Sequence, residues 1–121
     1  MRAPRLSLTL INRRTGQTIA SAVEIADTRR TRRRGLLGRD VMDPAAALIL
    51  TPCCSIHTAF MRFAIDAVFC DRDLVVIDVE RGLRPWRMAS RRRAKVVIEL
   101  AEGAAAGVAA GDRLTLGTID P

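Results

Sequence analysis

The chain has 121 residues, of which 49% are hydrophobic, and it carries a formal net charge of +7. This length is too short for two independent cores, so we expect one globular domain over residues 1–121. The apolar run at residues 6–11 is too short for a signal-peptide core, and no stretch approaches the roughly 20 apolar residues that span a bilayer. We therefore expect a cytoplasmic protein with no membrane span.

The positive charge is concentrated in two blocks. Residues 1–39 contain ten arginines against Glu24 and Asp27, and residues 84–95 contain six basic residues and no acid. Such blocks attract polyanions, which keeps nucleic-acid binding through a basic face as an alternative function. However, Trp86 is the only aromatic residue in either block, so base stacking on an aromatic platform has little support. A solvated basic surface is the simpler interpretation.

The first third of the chain predicts a hairpin followed by a helix. Apolar and polar residues alternate over residues 6–10, which indicates a strand, and residues 18–26 predict a second strand that follows a turn. Asp27 or Thr28 can cap a helix that we expect to end at about Gly38, with its arginines exposed and the following leucines turned inward.

The rest of the chain is dominated by short strand patterns. Residues 46–50 form an apolar segment bounded by Pro52 and predict a strand. Residues 65–69 and 74–79 are rich in β-branched residues and predict a central hairpin. Residues 82–93 have no clean periodicity, which predicts a loop or an irregular edge.

Three further elements are predicted before the carboxyl end. Residues 95–100 predict a strand, although their continuous apolar run also fits a buried helix. The alanine-rich residues 102–110 predict a helix of one or two turns, and residues 113–116 predict a closing strand. The sequence thus indicates an α+β, mainly β fold, a small single domain with a curled, barrel-like mixed sheet and two short helices.

Residues 55–71 form the candidate site because they hold the only histidine and all three phenylalanines. His57 is a candidate general acid or base, metal ligand or hydrogen-bonding partner, although a structural role is the more common one for a lone histidine. Thr58 supplies a hydroxyl and Met61 an apolar wall, a mixture typical of small-ligand pockets. Asp66 lies between apolar residues and must either face solvent or be buried with partners, such as Arg62 or Arg32.

Two more specific functions of this segment, a zinc site and a catalytic Cys–His pair, have weak support. Cys53, Cys54 and His57 form a C-C-x-x-H pattern, with Cys70 or Asp66 as a further candidate ligand. Adjacent cysteines in an extended segment point to opposite sides, so a zinc site is not favoured and we assign no metal or cofactor. A catalytic Cys–His pair lacks an oxyanion-hole motif and an orienting third residue. We expect the three cysteines to be reduced thiols, because their number is odd and two of them are adjacent.

Three sets of spaced residues carry a resemblance to a prokaryotic family known as domain of unknown function 192. The resemblance covers about residues 26–116. The matching residues are Arg32, Arg34, Gly35, Leu36, Leu37, Gly38 and Arg39; His57, Thr58, Met61, Arg62, Ile65, Asp66, Phe69 and Asp71; and Leu83, Pro85, Trp86, Arg87, Glu99, Leu100, Gly103, Gly111 and Asp112. Two positions depart from the family pattern: Ala64 replaces a common proline and Phe60 replaces a common small residue.

The resemblance implies a compact β-rich domain of barrel-like character and no known reaction, cofactor or substrate. Our main hypothesis is a non-enzymatic binding or accessory domain with a small groove rimmed by arginines, which accepts an anionic small molecule or an acidic protein segment. The alternative is an enzyme for a small anionic substrate, with His57 as acid or base and Asp66 as its orienting group. The predicted groove residues are Arg32, Arg34, Arg39, His57, Thr58, Met61, Arg62 and Asp66.

Overall fold

A computed structural model describes residues 7–119. Within this range the chain forms ten strands and one helix. The strands are β1 (Ser7–Asn12), β2 (Thr18–Ala20), β3 (Ala22–Ala26), β4 (Ala46–Leu50), β5 (Ser55–His57), β6 (Ile65–Cys70), β7 (Val76–Leu83), β8 (Met88–Ser90), β9 (Val96–Ala101) and β10 (Leu114–Ile119), and the helix is α1 (Arg29–Arg34).

A five-stranded mixed sheet in the order β3-β4-β9-β6-β7 forms the centre of the molecule. Strands β3 and β4 are parallel, and the other neighbours are antiparallel. Every residue of β6 and β9 is buried. Apart from Asp66 and Glu99, all residues of these two strands are apolar, because both faces of the sheet are covered. The strand interpretation of residues 95–100 is therefore confirmed over the helical one.

Each face of the central sheet has its own core. Leu10 of β1 and Leu114 of β10 pack with Val68 and Ile98 in the first core. This face is covered by the three-stranded sheet β10-β1-β2. The second core, on the opposite face, is covered by the residues after α1 and by the two-stranded ribbon β5-β8, and its buried members include Leu36, Ile56, Met61, Phe69 and Val97.

The sheets are not closed into a barrel, which corrects the barrel-like expectation. Strands β3 and β7 lie at opposite edges of the central sheet and do not pair with each other. The ten strands instead form three separate sheets, and each sheet keeps its own edge strands. The prediction of a mainly β domain with a mixed sheet is confirmed.

The predicted second strand at residues 18–26 is divided at Ser21. Strand β2 pairs with β1, whereas β3 joins the central sheet beside β4. The N–H groups of Ser21 and Ala22 both donate to the carbonyl of Ala45 (2.9 and 3.0 Å), which fixes the bend between the two strands. The opening hairpin is confirmed, but the second half of the predicted strand belongs to another sheet.

Helix α1 is shorter than predicted. Thr28 is its N-cap, and its Oγ1 accepts from Thr31 N while Thr31 Oγ1 accepts from Thr28 N, both at 3.1 Å. The helix ends at Gly35, whose φ of +48° favours glycine, rather than at Gly38. No residue of α1 is buried, so the turn at Gly35 is what directs Leu36 into the second core.

The predicted helix at residues 102–110 does not form, and this segment is a series of turns. Side chains from distant strands form hydrogen bonds with its backbone N–H and carbonyl groups. Asp66 accepts from the N–H groups of Gly103 and Ala105, and Arg81 donates to the carbonyls of Ala105 and Val108. The expectation of two helices is therefore wrong: local hydrogen bonds such as Ala104 N–H to the carbonyl of Ala101 (3.0 Å) form isolated turns, and the long-range bonds hold the segment in this irregular form.

Strand predictions in the second half of the chain agree well with the structure. Residues 46–50 coincide with β4, and the predicted central hairpin corresponds to β6 and β7. Residues 82–93 contain the short strand β8, which pairs with β5. Over residues 7–119, none of the helical structure has the length and apolar character needed to cross a bilayer.

Candidate functional site

A cleft of about 350 Å³ lies between α1 and the β5-β8 ribbon, and we call it the helix cleft. It opens on the face of the central sheet that carries the second core. Its lining combines apolar walls with basic, acidic and thiol groups. The lining residues are Arg32, Arg33, Arg34, Gly35, Leu36, Leu37, Leu50, Cys53, Ser55, Ile56, His57, Met61 and Glu99.

Glu99 is the buried acid of the helix cleft. Its neighbours Ile98 and Leu100 on β9 point into the first core, so strand alternation directs Glu99 to the opposite face. The residue is only 3% exposed. No group within residues 7–119 donates a hydrogen bond to its carboxyl, and the oxygens meet the open space of the cleft. Burial raises the pKa of Glu99 to about 7, although the charge of Arg39 acts in the opposite direction.

Glu99 was not among the site residues predicted from the sequence. It occurs in an otherwise apolar strand pattern, and an acid in such a pattern is the signal of a buried carboxyl. The strand assignment alone could have placed it on one face of the sheet. Only the tertiary structure shows that this face opens into a cleft beside α1.

The arginines of α1 form the rim of the helix cleft. Arg32 is half-buried and donates from Nη1 to the carbonyl of Thr51 (3.2 Å). Arg33 and Arg34 are exposed, and neither forms an ion pair with any acid in the described part of the chain. Their charges are therefore available to an anion in the cleft. The structure brings the predicted residues Arg32 and Arg34 together with His57 and Met61 in this lining.

His57 and Cys53 both line the helix cleft, but they do not form an activated pair. The Nδ1 atom of His57 accepts a hydrogen bond from the backbone N–H of Ala59 (3.3 Å). The thiol of Cys53 donates to the carbonyl of Ser55 (3.3 Å). Burial is the main cause of the raised pKa of the Cys53 thiol. A thiol in this state is a poor nucleophile at neutral pH.

Arg39 and Arg62 lie outside the lining of the helix cleft. Arg39 forms an ion pair with Glu24 (2.7 Å) beside a second cleft of about 310 Å³, which shares Arg34 and Gly35 with the first. Arg62 is exposed and pairs with Asp40, not with Asp66. The predicted ion pair of Asp66 with Arg62 or Arg32 is therefore absent, since Arg32 donates to the carbonyl of Thr51 instead.

Thr58 is fully buried and holds two loops together. Its Oγ1 donates to the carbonyl of Arg84 (2.6 Å) and accepts from Arg87 N (2.9 Å). Its backbone carbonyl accepts from the N–H groups of Met61 (3.1 Å) and Trp86 (3.0 Å). All of these contacts are internal, so the structure assigns Thr58 a structural role rather than a place in the cleft.

Asp66 lies on the opposite side of the central sheet from His57. It is 1% exposed, and its carboxyl accepts from the backbone N–H groups of Gly82 (2.9 Å), Gly103 (3.0 Å) and Ala105 (3.0 Å). The Asp66 carboxyl thus ties β7 to the turns that follow β9. The predicted groove from His57 to Asp66 is not formed, because residue 66 alternates with Ile65 and points into the other face.

The other candidate metal ligands are also dispersed. Cys54 is exposed, whereas Cys70 is buried in the first core. Burial raises the pKa of Cys70 to about 12, which keeps it a neutral thiol. Over residues 7–119 there is no group of three histidine, cysteine or acidic side chains arranged to hold a metal ion.

Comparisons with known proteins place this fold in a family. A family model described as "Uncharacterized ACR", domain of unknown function 192, matches residues 10–116. The chain is 37% identical over 99 residues to a UPF0127 protein of Thermococcus sibiricus, covering 78% of this chain and 64% of that protein. It is 41% identical over 63 residues to a UPF0127 protein of Pyrococcus furiosus, covering 50% and 53% of the two chains. The chain thus spans less than two thirds of the length of these relatives.

Two solved structures share the fold. One is a "putative transcription regulator" from Sinorhizobium meliloti 1021, with a TM-score of 0.78, 22% identity and coverage of 95% of this chain and 97% of that chain. The other is a protein of unknown function from Novosphingobium aromaticivorans, with a TM-score of 0.77, 19% identity and coverage of 93% and 86%. At these identities the likeness concerns the fold alone. The family match over residues 10–116, together with the archaeal relatives, shows that the chain belongs to the uncharacterised domain of unknown function 192 family.

Proposed function

We propose that this protein is a non-enzymatic binding domain that takes an anionic small molecule in the helix cleft. The observation that carries the proposal is the Glu99 carboxyl, which is buried, has no protein donor within residues 7–119, and faces a cleft rimmed by arginines. Buried polar groups in proteins are normally hydrogen-bonded. The Glu99 oxygens open into the cleft rather than being sealed from solvent, so a donor on a bound ligand can replace water as their partner.

Charge and protonation favour an anion over a cation. Arg33 and Arg34 bring two positive charges to the rim with no acidic partner among the described residues. The pKa of Glu99 is about 7, so much of the carboxyl is protonated at neutral pH. A bound anion would stabilise the protonated form further, and the acid O–H would donate a hydrogen bond to the ligand.

The size and walls of the helix cleft limit the ligand. A volume of about 350 Å³ lies at the lower end of the range for small-molecule sites. The apolar side chains of Leu36, Leu50 and Met61 form part of its lining. We therefore propose a ligand of metabolite size with a carboxylate or phosphate group and a short apolar body.

A thermal-shift screen against carboxylate and phosphate metabolites tests this proposal. The screen compares the unaltered protein with an Arg33→Ala/Arg34→Ala variant. The matched control is Arg29→Ala/Arg30→Ala, which removes the same charge from the same helix outside the cleft lining. We expect stabilisation by a small group of related anions that is lost in the first variant and kept in the control.

Two results would contradict the proposal. One is a screen in which no anion stabilises the protein. The other is stabilisation that falls equally in both arginine variants, because general charge would then explain the effect. A His57→Ala variant, also at the cleft, reports whether the imidazole contacts the ligand.

Nucleic-acid binding is the second candidate. It is favoured by the arginines of α1, which have no acidic residue in the first turn and no buried residue among them. The similar solved structure from Sinorhizobium meliloti is described as a "putative transcription regulator", which also favours this candidate. Binding of a duplex oligonucleotide should weaken steeply with salt and should suffer equally in both arginine variants.

The enzyme alternative has less support. The acid or base role of His57 was predicted together with an orienting Asp66, and these residues lie on opposite faces of the central sheet. The group that contacts the imidazole is the backbone N–H of Ala59. Turnover of an anion identified in the screen, lost in His57→Ala, would favour this alternative over simple binding.

A further inference from the structure

A second surface, which adjoins the helix cleft but shares no lining residue with it, exposes large apolar side chains. Phe60 is 72% exposed, Trp86 60% and Met88 72%. None of the three belongs to the lining of the helix cleft. We call them the aromatic patch. Side chains of this type bury most of their surface in ordinary folds, and a group of them on the outside marks an interaction site.

The two rings of the aromatic patch contact each other on strained backbone. Their centroids are 4.6 Å apart, with an interplanar angle of 60°. Phe60 has a φ of +65° and Trp86 a φ of +64°, a region that bulky side chains rarely adopt. Strain of this kind persists only where the surroundings impose it, and it concentrates at functional sites.

Thr58 imposes this geometry. It hydrogen-bonds the carbonyl of Arg84 and the backbone N–H groups of Trp86 and Arg87, and it lies two residues before Phe60. The clamp joins the loop after β5 to the loop after β7. The aromatic patch is therefore pre-organised, so a partner would not need to order it on binding.

We propose that the aromatic patch binds an acidic segment of a partner protein. Arg84 and Arg87 flank Trp86, are exposed, and have no ion pair with an acid in the described residues. Tryptophan, phenylalanine, methionine and arginine are the residues enriched at protein interfaces. The patch supplies an apolar anchor, and the arginines select a segment in which Asp or Glu accompanies apolar side chains.

Other occupants fit less well. A second copy in a two-fold dimer would bring the same arginines of a +7 chain against each other. Nucleobases stack on open, parallel ring faces, whereas these two rings meet edge to face at 60°. The inference does not depend on the anion proposed for the helix cleft, because the two sites share no residue.

Selection from a displayed random 12-residue peptide library on the full chain tests the inference. Peptides that also bind a Phe60→Asn variant are removed. Asparagine tolerates the left-handed backbone, so this variant keeps the loop conformation and removes the ring. We expect the remaining peptides to combine Asp or Glu with Leu, Phe or Met. A selection that yields no peptide, or yields neutral or basic ones, would overturn the inference.

Trp86 is the only tryptophan, so its fluorescence reports directly on this surface. A selected peptide without tryptophan should shift its emission to shorter wavelength. Affinity should fall about tenfold or more in Arg84→Ala/Arg87→Ala. It should change less than twofold in Arg92→Ala/Arg93→Ala, a control for exposed arginines of the same basic block. Equal losses in both variants, or the same emission shift with anionic vesicles or an oligothymidine in place of the peptide, would contradict a specific acidic protein partner.

Discussion

Asp66 and Glu99 are two buried acids that lie one register position apart on neighbouring strands and point to opposite faces of the central sheet. Asp66 is opposite Leu100, and Glu99 is opposite Ala67. Asp66 accepts three backbone N–H bonds, whereas Glu99 accepts none from residues 7–119. We therefore expect the loss of each acid to have a different consequence.

Replacing Asp66 by asparagine should destabilise the fold by about 3 kcal/mol, since an amide cannot accept all three N–H groups and its own N–H₂ opposes one of them. Urea unfolding at pH 7 measures this loss. Asp73→Asn is the control, because Asp73 is exposed, and it should change the free energy of unfolding by less than about 0.5 kcal/mol. Equal stability of the two variants would show that Asp66 does not hold the turns after β9.

Replacing Glu99 by glutamine should remove one component of the pH dependence of stability. The pKa of Glu99 in the folded protein, about 7, lies above the ordinary value of 4.5. The contribution of this raised pKa to the free energy of unfolding is therefore fully present below pH 4.5 and is lost as pH rises to about 7. That shift corresponds to roughly 3 kcal/mol. The stability of Glu99→Gln relative to the unaltered protein should therefore rise by this amount between pH 4.5 and pH 8, as measured by urea unfolding. Parallel pH profiles would contradict the burial of this carboxyl.

Replacing Thr58 by valine should cost about 2 kcal/mol, because the carbonyl of Arg84 loses its donor and the N–H of Arg87 loses its acceptor without a change of shape. Thr58→Ser keeps the hydroxyl and should retain most of the stability. Thermal unfolding compares the two variants. If both behave alike, the clamp between the loops depends on the methyl group and not on the hydroxyl.

The three thiols should react at different rates with a thiol reagent at pH 8. Cys54 is exposed and should react first. Cys53 should follow slowly because burial raises the pKa of its thiol, and Cys70, with a pKa of about 12, should react only on unfolding. Peptide mass spectrometry over time measures the order. Rapid modification of Cys53 would reopen the nucleophile hypothesis.

Local patterns predicted the strands well and the long-range contacts poorly. Strand β4 and the β6-β7 hairpin follow from apolar segments and their boundaries. The bend at Ser21 carries no glycine or proline, and the partner of β8 lies more than 30 residues away. The prediction of a helix at residues 102–110 is wrong because Asp66 and Arg81 hold this segment as separate turns, and the local sequence does not reveal these long-range contacts.

The candidate site was predicted in part. Arg32, Arg34, His57 and Met61 do meet in the helix cleft. Asp66 was predicted in the same groove, but strand alternation turns it to the face opposite Ile65. Thr58 and Asp66 are chemically suitable for ligand binding, but internal hydrogen bonds occupy both.

The most direct test of the central claim is proton uptake when an anion binds in the helix cleft. Calorimetric titration of the strongest anion from the screen, at pH 7.5 in buffers with different ionisation enthalpies, measures that uptake. We expect a fraction of a proton to be taken up by the unaltered protein and by His57→Ala, and none by Glu99→Gln, which should bind equally well at pH 6 and pH 8. Binding without proton uptake, or uptake that persists in Glu99→Gln, would contradict a role for Glu99 as the acid that holds the ligand.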